Sequence, residues 1–194
     1  TPQRYHAVYH GAPPVSRQYR GATGRPVLSQ LKKGSMKENV LDVLVYLFEN
    51  YMADDIEPPQ DHESLQTELR QAGFGAGEIS KAFDWLEGLT RLHGSDKLPK
   101  LKNPSAVRIY IDEETDRIDV ECRGLIMYLE EAGVLDQHSR ELVIDRIMAL
   151  EAEDVDSDVV KWVVLMVLFN QPDQEAAYAW MEDFVFEENF GQLH

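Results

Sequence analysis

Most residues of this chain that could do chemistry are carboxylates, and they come in two clusters. One holds Asp112, Glu113, Glu114 and Asp116; the other holds Glu151, Glu153, Asp154, Asp156 and Asp158. Carboxylates at this density can bind a divalent cation, move protons or attract a basic partner. Neither cluster has the ligand spacing of a calcium-binding loop, so the expectation is a solvated acidic surface that binds a basic protein or peptide segment. The histidines, His6, His10, His62, His93, His138 and His194, are scattered. Only His6 and His10 have a metal-ligand spacing, and they lie in a proline-rich stretch, so no metal site and no cofactor are expected. Cys122, followed by Arg123 and Gly124, is either a thiol activated by arginine or a small buried apolar residue, and its helical pattern favours the second. Gly73, Gly75 and Gly77 follow no strand and read as a turn between helices. No catalytic constellation is recognisable.

Charge divides the chain. The formal net charge is −16, yet residues 1–35 carry six basic and no acidic side chains, which leaves −22 for the rest. Residues 1–35 form a basic, proline-rich arm, in which Arg4, Tyr9, Arg17, Tyr19, Arg20 and Arg25 are the candidate contact residues. Gly34-Ser35 ahead of Met36 resembles a cloning junction, and the arm reads as a leader, a fused partner peptide or a native extension. Residues 36–194 form the acidic domain. Such a surface repels phosphates and anionic membrane, because binding to them depends on Lys and Arg. A single cysteine excludes an internal disulfide and suits a reducing cytoplasm, and no signal peptide is recognisable.

The element expected to organise the domain runs from Asp158 to Pro172. It is apolar from Val159 to Phe169 except at Lys161, with no polar stripe, so it predicts a helix buried on nearly all sides. At roughly 18 Å it is too short for the ~30 Å core of a bilayer. Lys161 is expected to snorkel or to pair with an acid. Amphipathic helices are predicted over 37–52, from Asp61 to Gly73, over 78–89, from Thr115 or Asp116 to Gly133, from a Ser139 cap onward, and from Asp173. Ser157 is the predicted cap of the central helix. Trp85, Trp162 and Trp180 are placed in the core. Leu69–Phe74 and Leu129–Val134 echo one another as helix ends closed by Gly73 and Gly133. Ser105–Ile111 alternates and is the only strand candidate. The fold class is therefore mainly α: a compact bundle of about six helices with helix-turn-helix-like hairpins around a buried central helix at 158–170, with room for one short β pair near 98–111.

Several strings are specific enough to carry a family resemblance. They are N-V-L-D-V-L-V-Y-L-F-E-N-Y at 39–51, A-G-F at 72–74, A-F-D-W-L-E at 82–87, R-I-Y at 108–110, C-R-G at 122–124 and K-W-V-V-L-M-V-L-F-N at 161–170. Together they resemble the Smg family of proteobacterial proteins over residues 36–194 and not over residues 1–35. The resemblance implies a small, cytoplasmic, mostly helical protein with no established activity, and no catalytic residues to carry over. The family's genes commonly lie near those of a DNA-uptake processing protein and a topoisomerase-like protein. The leading functional expectation is a non-enzymatic interaction or adaptor protein that docks a basic segment. The alternative is a helix-turn-helix protein associated with nucleic acid through Glu78–Leu89, although that helix carries Glu78, Asp84 and Glu87 against Lys81 alone. Neither reading assigns an oligomeric state.

Overall fold

The computed structural model describes residues 39–52, 62–93, 108–150 and 155–191. Among the described residues there are eight α-helices, one π-helical turn and no strand. They belong to two compact units that divide after Glu87.

In the first unit α1 spans Val40–Leu47 and continues as the π-helical turn Phe48–Met52. Its start is set by a capping box. Asn39 Oδ1 accepts from the Asp42 N–H at 2.8 Å, and the Asp42 carboxylate accepts from the Asn39 N–H at 3.4 Å. Two further helices follow, α2 (His62–Gln71) and α3 (Ala76–His93), the last crossing into the second unit. The Asp61 cap lies outside the described residues. Gly73 closes α2 as expected, with φ 99°, Phe74 N–H donating to Leu69 O and Gly73 N–H donating to Arg70 O. Only a residue without Cβ takes this left-handed conformation cheaply. Gly133, with φ 76° and the same pair of bonds from Val134 to Leu129 and from Gly133 to Glu130, repeats the device. The two hairpins predicted from the Leu69–Phe74 and Leu129–Val134 echo therefore share one turn geometry.

The second unit holds α4 (Asp112–Arg117), α5 (Val120–Glu131), α6 (Gln137–Met148), α7 (Ser157–Phe169) and α8 (Glu175–Gly191). At its centre is α7, packed against α5, α6 and α8, with every residue from Trp162 to Leu168 buried. Burying a Val, Leu or Met side chain gains about 1.5–3 kcal/mol, so this one helix supplies a large share of the unit's apolar stabilisation. Lys161 runs its stem along the core. Its ammonium lies 3.4 Å from Asp158 and 5.5 Å from the ring centre of Phe184. Gly88, inside α3, has a packing reason, because a Cβ there would collide with the Arg146 guanidinium. Glycine inside a helix otherwise costs about 1 kcal/mol relative to alanine.

Several boundaries differ from those predicted. The helix expected from Thr115 to Gly133 is two helices, because the Asp119 side chain accepts from the Cys122 N–H at 2.8 Å and caps a new start. Ile118 stays buried in the break, while Val120 turns outward. Asp136 and Asp156, not Ser139 and Ser157, cap α6 and α7, accepting from Ser139 N–H at 2.7 Å and Val159 N–H at 2.9 Å. Carboxylates are favoured there by the helix dipole as well as by the bond. Ser139 is instead buried, its hydroxyl donating to Gln171 at 2.8 Å. Asp173 adopts φ 62° in the turn, and α8 begins two residues later. Trp85 and Trp162 are core residues as expected; Trp180 is exposed, stacked on Phe184 at 5.3 Å. Residues 108–111 carry no strand, and 98–107 lie outside the described residues.

Candidate functional site

The strand-like alternation at Arg108–Ile111 survives as a local feature of the second unit, but charge sets its facing. Arg108 and Tyr110 turn toward the protein; Ile109 and Ile111 point to solvent, with 85% and 58% of their surface exposed. Arg108 decides this. Its guanidinium donates to Glu114 at 2.6 and 2.7 Å and to Glu141 at 3.1 Å, and lies 4.4 Å from the Tyr110 ring centre. The Arg123 guanidinium is 5.7 Å from the same ring. Arginine over an aromatic face is attractive where solvent is partly excluded.

Glu114 does two things at once. Besides holding Arg108, its carboxylate accepts from the Ile111 N–H at 3.1 Å, closing the first turn of α4. Isoleucine has no side-chain acceptor to return the bond, so Glu114 alone fixes this helix start. The Arg108 hydrogen bond holds the Glu114 carboxyl below its ordinary range against the opposing effect of partial burial. Glu141 extends the network. It also accepts from Arg140 at 2.7 and 2.9 Å, and Arg140 reaches Glu130 at 2.7 and 2.8 Å. The Arg140 side chain is only 4% exposed. Burial opposes its charge, but the bonds to Glu130 and Glu141 outweigh that and keep it protonated. Two arginines and three carboxylates thus clamp the extended segment and α4 to α5 and α6. The sequence reading missed this clamp. Its one visible signal is Arg140, which falls on the inward face of α6 between Ser139 and Leu142.

The carboxylates expected to bind a partner separate into three groups. Asp112, Glu113 and Asp116 stand together on the exposed side of α4, and no side chain among the described residues pairs with them. Glu114 is taken by the clamp, Asp156 is the α7 cap and Asp158 faces Lys161. Glu151, Glu153 and Asp154, and Arg4, Tyr9, Arg17, Tyr19, Arg20 and Arg25 of the arm, lie outside the described residues. No group of three metal-ligating side chains converges among the described residues. Cys122 is the buried residue the pattern favoured. Its thiol faces the Val155 carbonyl at 3.5 Å, and burial, followed by the Asp119 carboxylate, pushes its pKa up to about 12. A shallow open hollow on α2, lined by Glu63, Ser64, Thr67, Glu68 and Gln71, gathers residues of a single helix and no acid–base pair. The helix considered for nucleic acid, α3, exposes Asp84 alongside Lys81, with Glu78 and Glu87 half-buried.

Residues 40–194 match the family described as "Protein of unknown function (DUF494)". A Protein Smg homolog of Nitrosococcus oceani is 57% identical over 159 residues, covering 82% of this chain and 100% of the relative. The chain belongs to the Smg family. A second Smg homolog, from Alkalilimnicola ehrlichii, is 56% identical over 160 residues, and one from Stenotrophomonas maltophilia is 53% identical over 159, each again covering 82% of this chain and 100% of the relative. No solved structure matches. No helix among the described residues of this Smg chain is long and apolar enough to cross a membrane. The family description assigns no reaction, so what the α4 surface can do rests on its chemistry.

Proposed function

We propose that this Smg chain is a non-enzymatic cytoplasmic adaptor whose α4 surface binds a basic, apolar peptide segment. The observation that carries the reading is the juxtaposition held by the clamp: two outward isoleucines, Ile109 and Ile111, followed by three exposed carboxylates, Asp112, Glu113 and Asp116, with which no side chain among the described residues pairs. The clamp holds the backbone that carries them, which lowers the ordering cost of binding, and the adjacent carboxylates select Arg or Lys. The arm at residues 1–35 has the matching chemistry, with six basic and no acidic side chains interspersed with tyrosine and valine. Nucleic acid is a poor partner for a domain of net charge −22. A peptide of residues 4–33, added to the chain spanning 36–194, is expected to bind, and the triple change Asp112→Asn, Glu113→Gln, Asp116→Asn is expected to weaken it roughly tenfold or more, since exposed ion pairs contribute up to about 1 kcal/mol each. Unchanged affinity in that variant would remove α4 from the site.

A further inference from the structure

The segment that carries Ile109 and Ile111 offers its backbone as well as its side chains. Residues 108–111 are extended, their side chains alternate between the protein and solvent, and Ile111 has φ −81° and ψ 166°. In an extended chain the N–H and C=O of one residue point to one edge and those of the next residue to the other, so Arg108 and Tyr110 share an edge and Ile109 and Ile111 share the opposite one. The chain itself uses the Ile109/Ile111 edge. The Ile109 carbonyl accepts from Arg108 Nη1 at 3.1 Å, the Ile111 N–H donates to Glu114 at 3.1 Å, and the Ile111 carbonyl accepts from the Glu114 and Thr115 N–H groups at 3.1 and 3.0 Å. The Arg108/Tyr110 edge is left over. Among the described residues no group hydrogen-bonds to the backbone N–H or C=O of either residue. Buried backbone groups are nearly always paired, so these open to water.

Edges of this kind template pairing with another chain, and proteins normally blunt them with proline, an outward lysine or a covering element. Here the outward positions hold isoleucines, and the one charged side chain of the segment, Arg108, is turned inward by the clamp. Two residues on one edge suffice for a short ladder. In antiparallel pairing Arg108 and Tyr110 would each give and take one backbone bond with a single partner residue. The intervening side chains of the incoming strand then fall beside Ile109 and Ile111 on the outward face, where cross-strand apolar pairs are favourable. Asp112, Glu113 and Asp116 follow at the end of the edge, so a cation on the incoming strand meets carboxylates and a second acidic copy of the chain meets repulsion.

We propose that the basic segment binds by strand addition: it lies extended along the Arg108/Tyr110 edge, hydrogen-bonded through its own backbone, with apolar residues beside the isoleucines and Arg or Lys at the carboxylates. This rests on the reading of the α4 surface as a basic-peptide site and adds how the peptide is held, which makes recognition tolerant of side-chain sequence but not of proline at the paired positions. Amide hydrogen exchange tests it, followed residue by residue by NMR on the 36–194 chain, the span of its 159-residue relatives, with and without saturating peptide of residues 4–33. Peptide should slow exchange at the Arg108 and Tyr110 N–H groups roughly tenfold or more and leave Ile109, whose N–H points to the other edge, unchanged. Single N-methyl groups placed along the peptide read the same pairing from the partner's side: affinity should fall at alternate positions of one run and hold between them. A peptide that binds but leaves Tyr110 unprotected, protects Ile109 equally, or loses affinity uniformly on N-methylation overturns strand addition while the α4 reading stands. Absence of binding overturns both. Protection of Tyr110 that appears without peptide and rises with chain concentration would put a second copy on the edge, and also overturns the proposal.

Discussion

Glu141→Gln is the most informative single change, because one carboxylate serves both arginines of the clamp. In the wild type it accepts from Arg108 Nε and Nη2 and from Arg140 Nε and Nη2, at 2.7–3.2 Å. Hydrogen bonds to charged groups contribute about 1.5–3 kcal/mol net, and the amide of glutamine presents donors where the guanidinium groups require acceptors. Each arginine keeps one carboxylate, Arg108 on Glu114 and Arg140 on Glu130. The loss should therefore be about 2–3 kcal/mol, below the ~3–5 kcal/mol of a buried charge left with no partner. Adding Glu130→Gln should then orphan Arg140, so that the double variant loses more than the two single changes summed. Urea unfolding at neutral pH reads both, as a shift in midpoint with unchanged slope. If Glu141→Gln lies within about 0.5 kcal/mol of wild type, the network is a surface decoration and the clamp reasoning is wrong.

The same clamp predicts a pH dependence. Glu114 has a folded-state pKa held below its ordinary value by Arg108, so its contribution is complete above the ordinary pKa of 4.5 and is lost as pH falls through the lower folded value. Wild type should accordingly lose more stability than Glu114→Gln on acidification from about pH 5 to 3, measured by urea midpoints. Asp156→Ala should cost about 0.5–2 kcal/mol and Ser157→Ala much less, since the aspartate is the α7 cap. Leu165→Ala, in the fully buried middle of α7, should cost about 2–5 kcal/mol in the same assay. Cys122 should react with a disulfide reagent at pH 8 far more slowly than a free thiol, because with a pKa of about 12 only roughly one molecule in ten thousand is thiolate. Labelling at the free-thiol rate would contradict its burial.

Periodicity made α7 legible, since a run that is apolar on every side can only be surrounded, and a glycine at the end of an amphipathic run made the α2 and α5 C-termini legible. The caps were harder to read. At 136–139 and 156–157 an aspartate and a serine compete for the same role, and only the backbone geometry shows that the carboxylate wins. Val120 and Trp180 are apolar yet exposed, because the buried faces of their helices are taken by Cys122, Ile126 and Leu129 and by Met181 and Val185. The candidate site was half legible. Acidic residues in a row announce a surface, but pattern alone does not separate Glu114, committed to Arg108, from Asp112, Glu113 and Asp116. That distinction depends on Glu141 and Arg108, 33 residues apart in the chain.

The central claim is that the α4 surface of this Smg chain recognises a basic segment. Calorimetric titration of the residue 4–33 peptide into the 36–194 chain, at low and then high salt, tests it directly. The 36–194 span corresponds in length to relatives that stand as whole chains of 159 residues. The account predicts saturable one-to-one binding at low ionic strength that weakens steeply as the Debye length shrinks from about 30 Å toward 8 Å, and a loss of most of that salt dependence in the Asp112→Asn, Glu113→Gln, Asp116→Asn variant. Absence of binding at low salt, or binding indifferent to both salt and the three carboxylates, would contradict it.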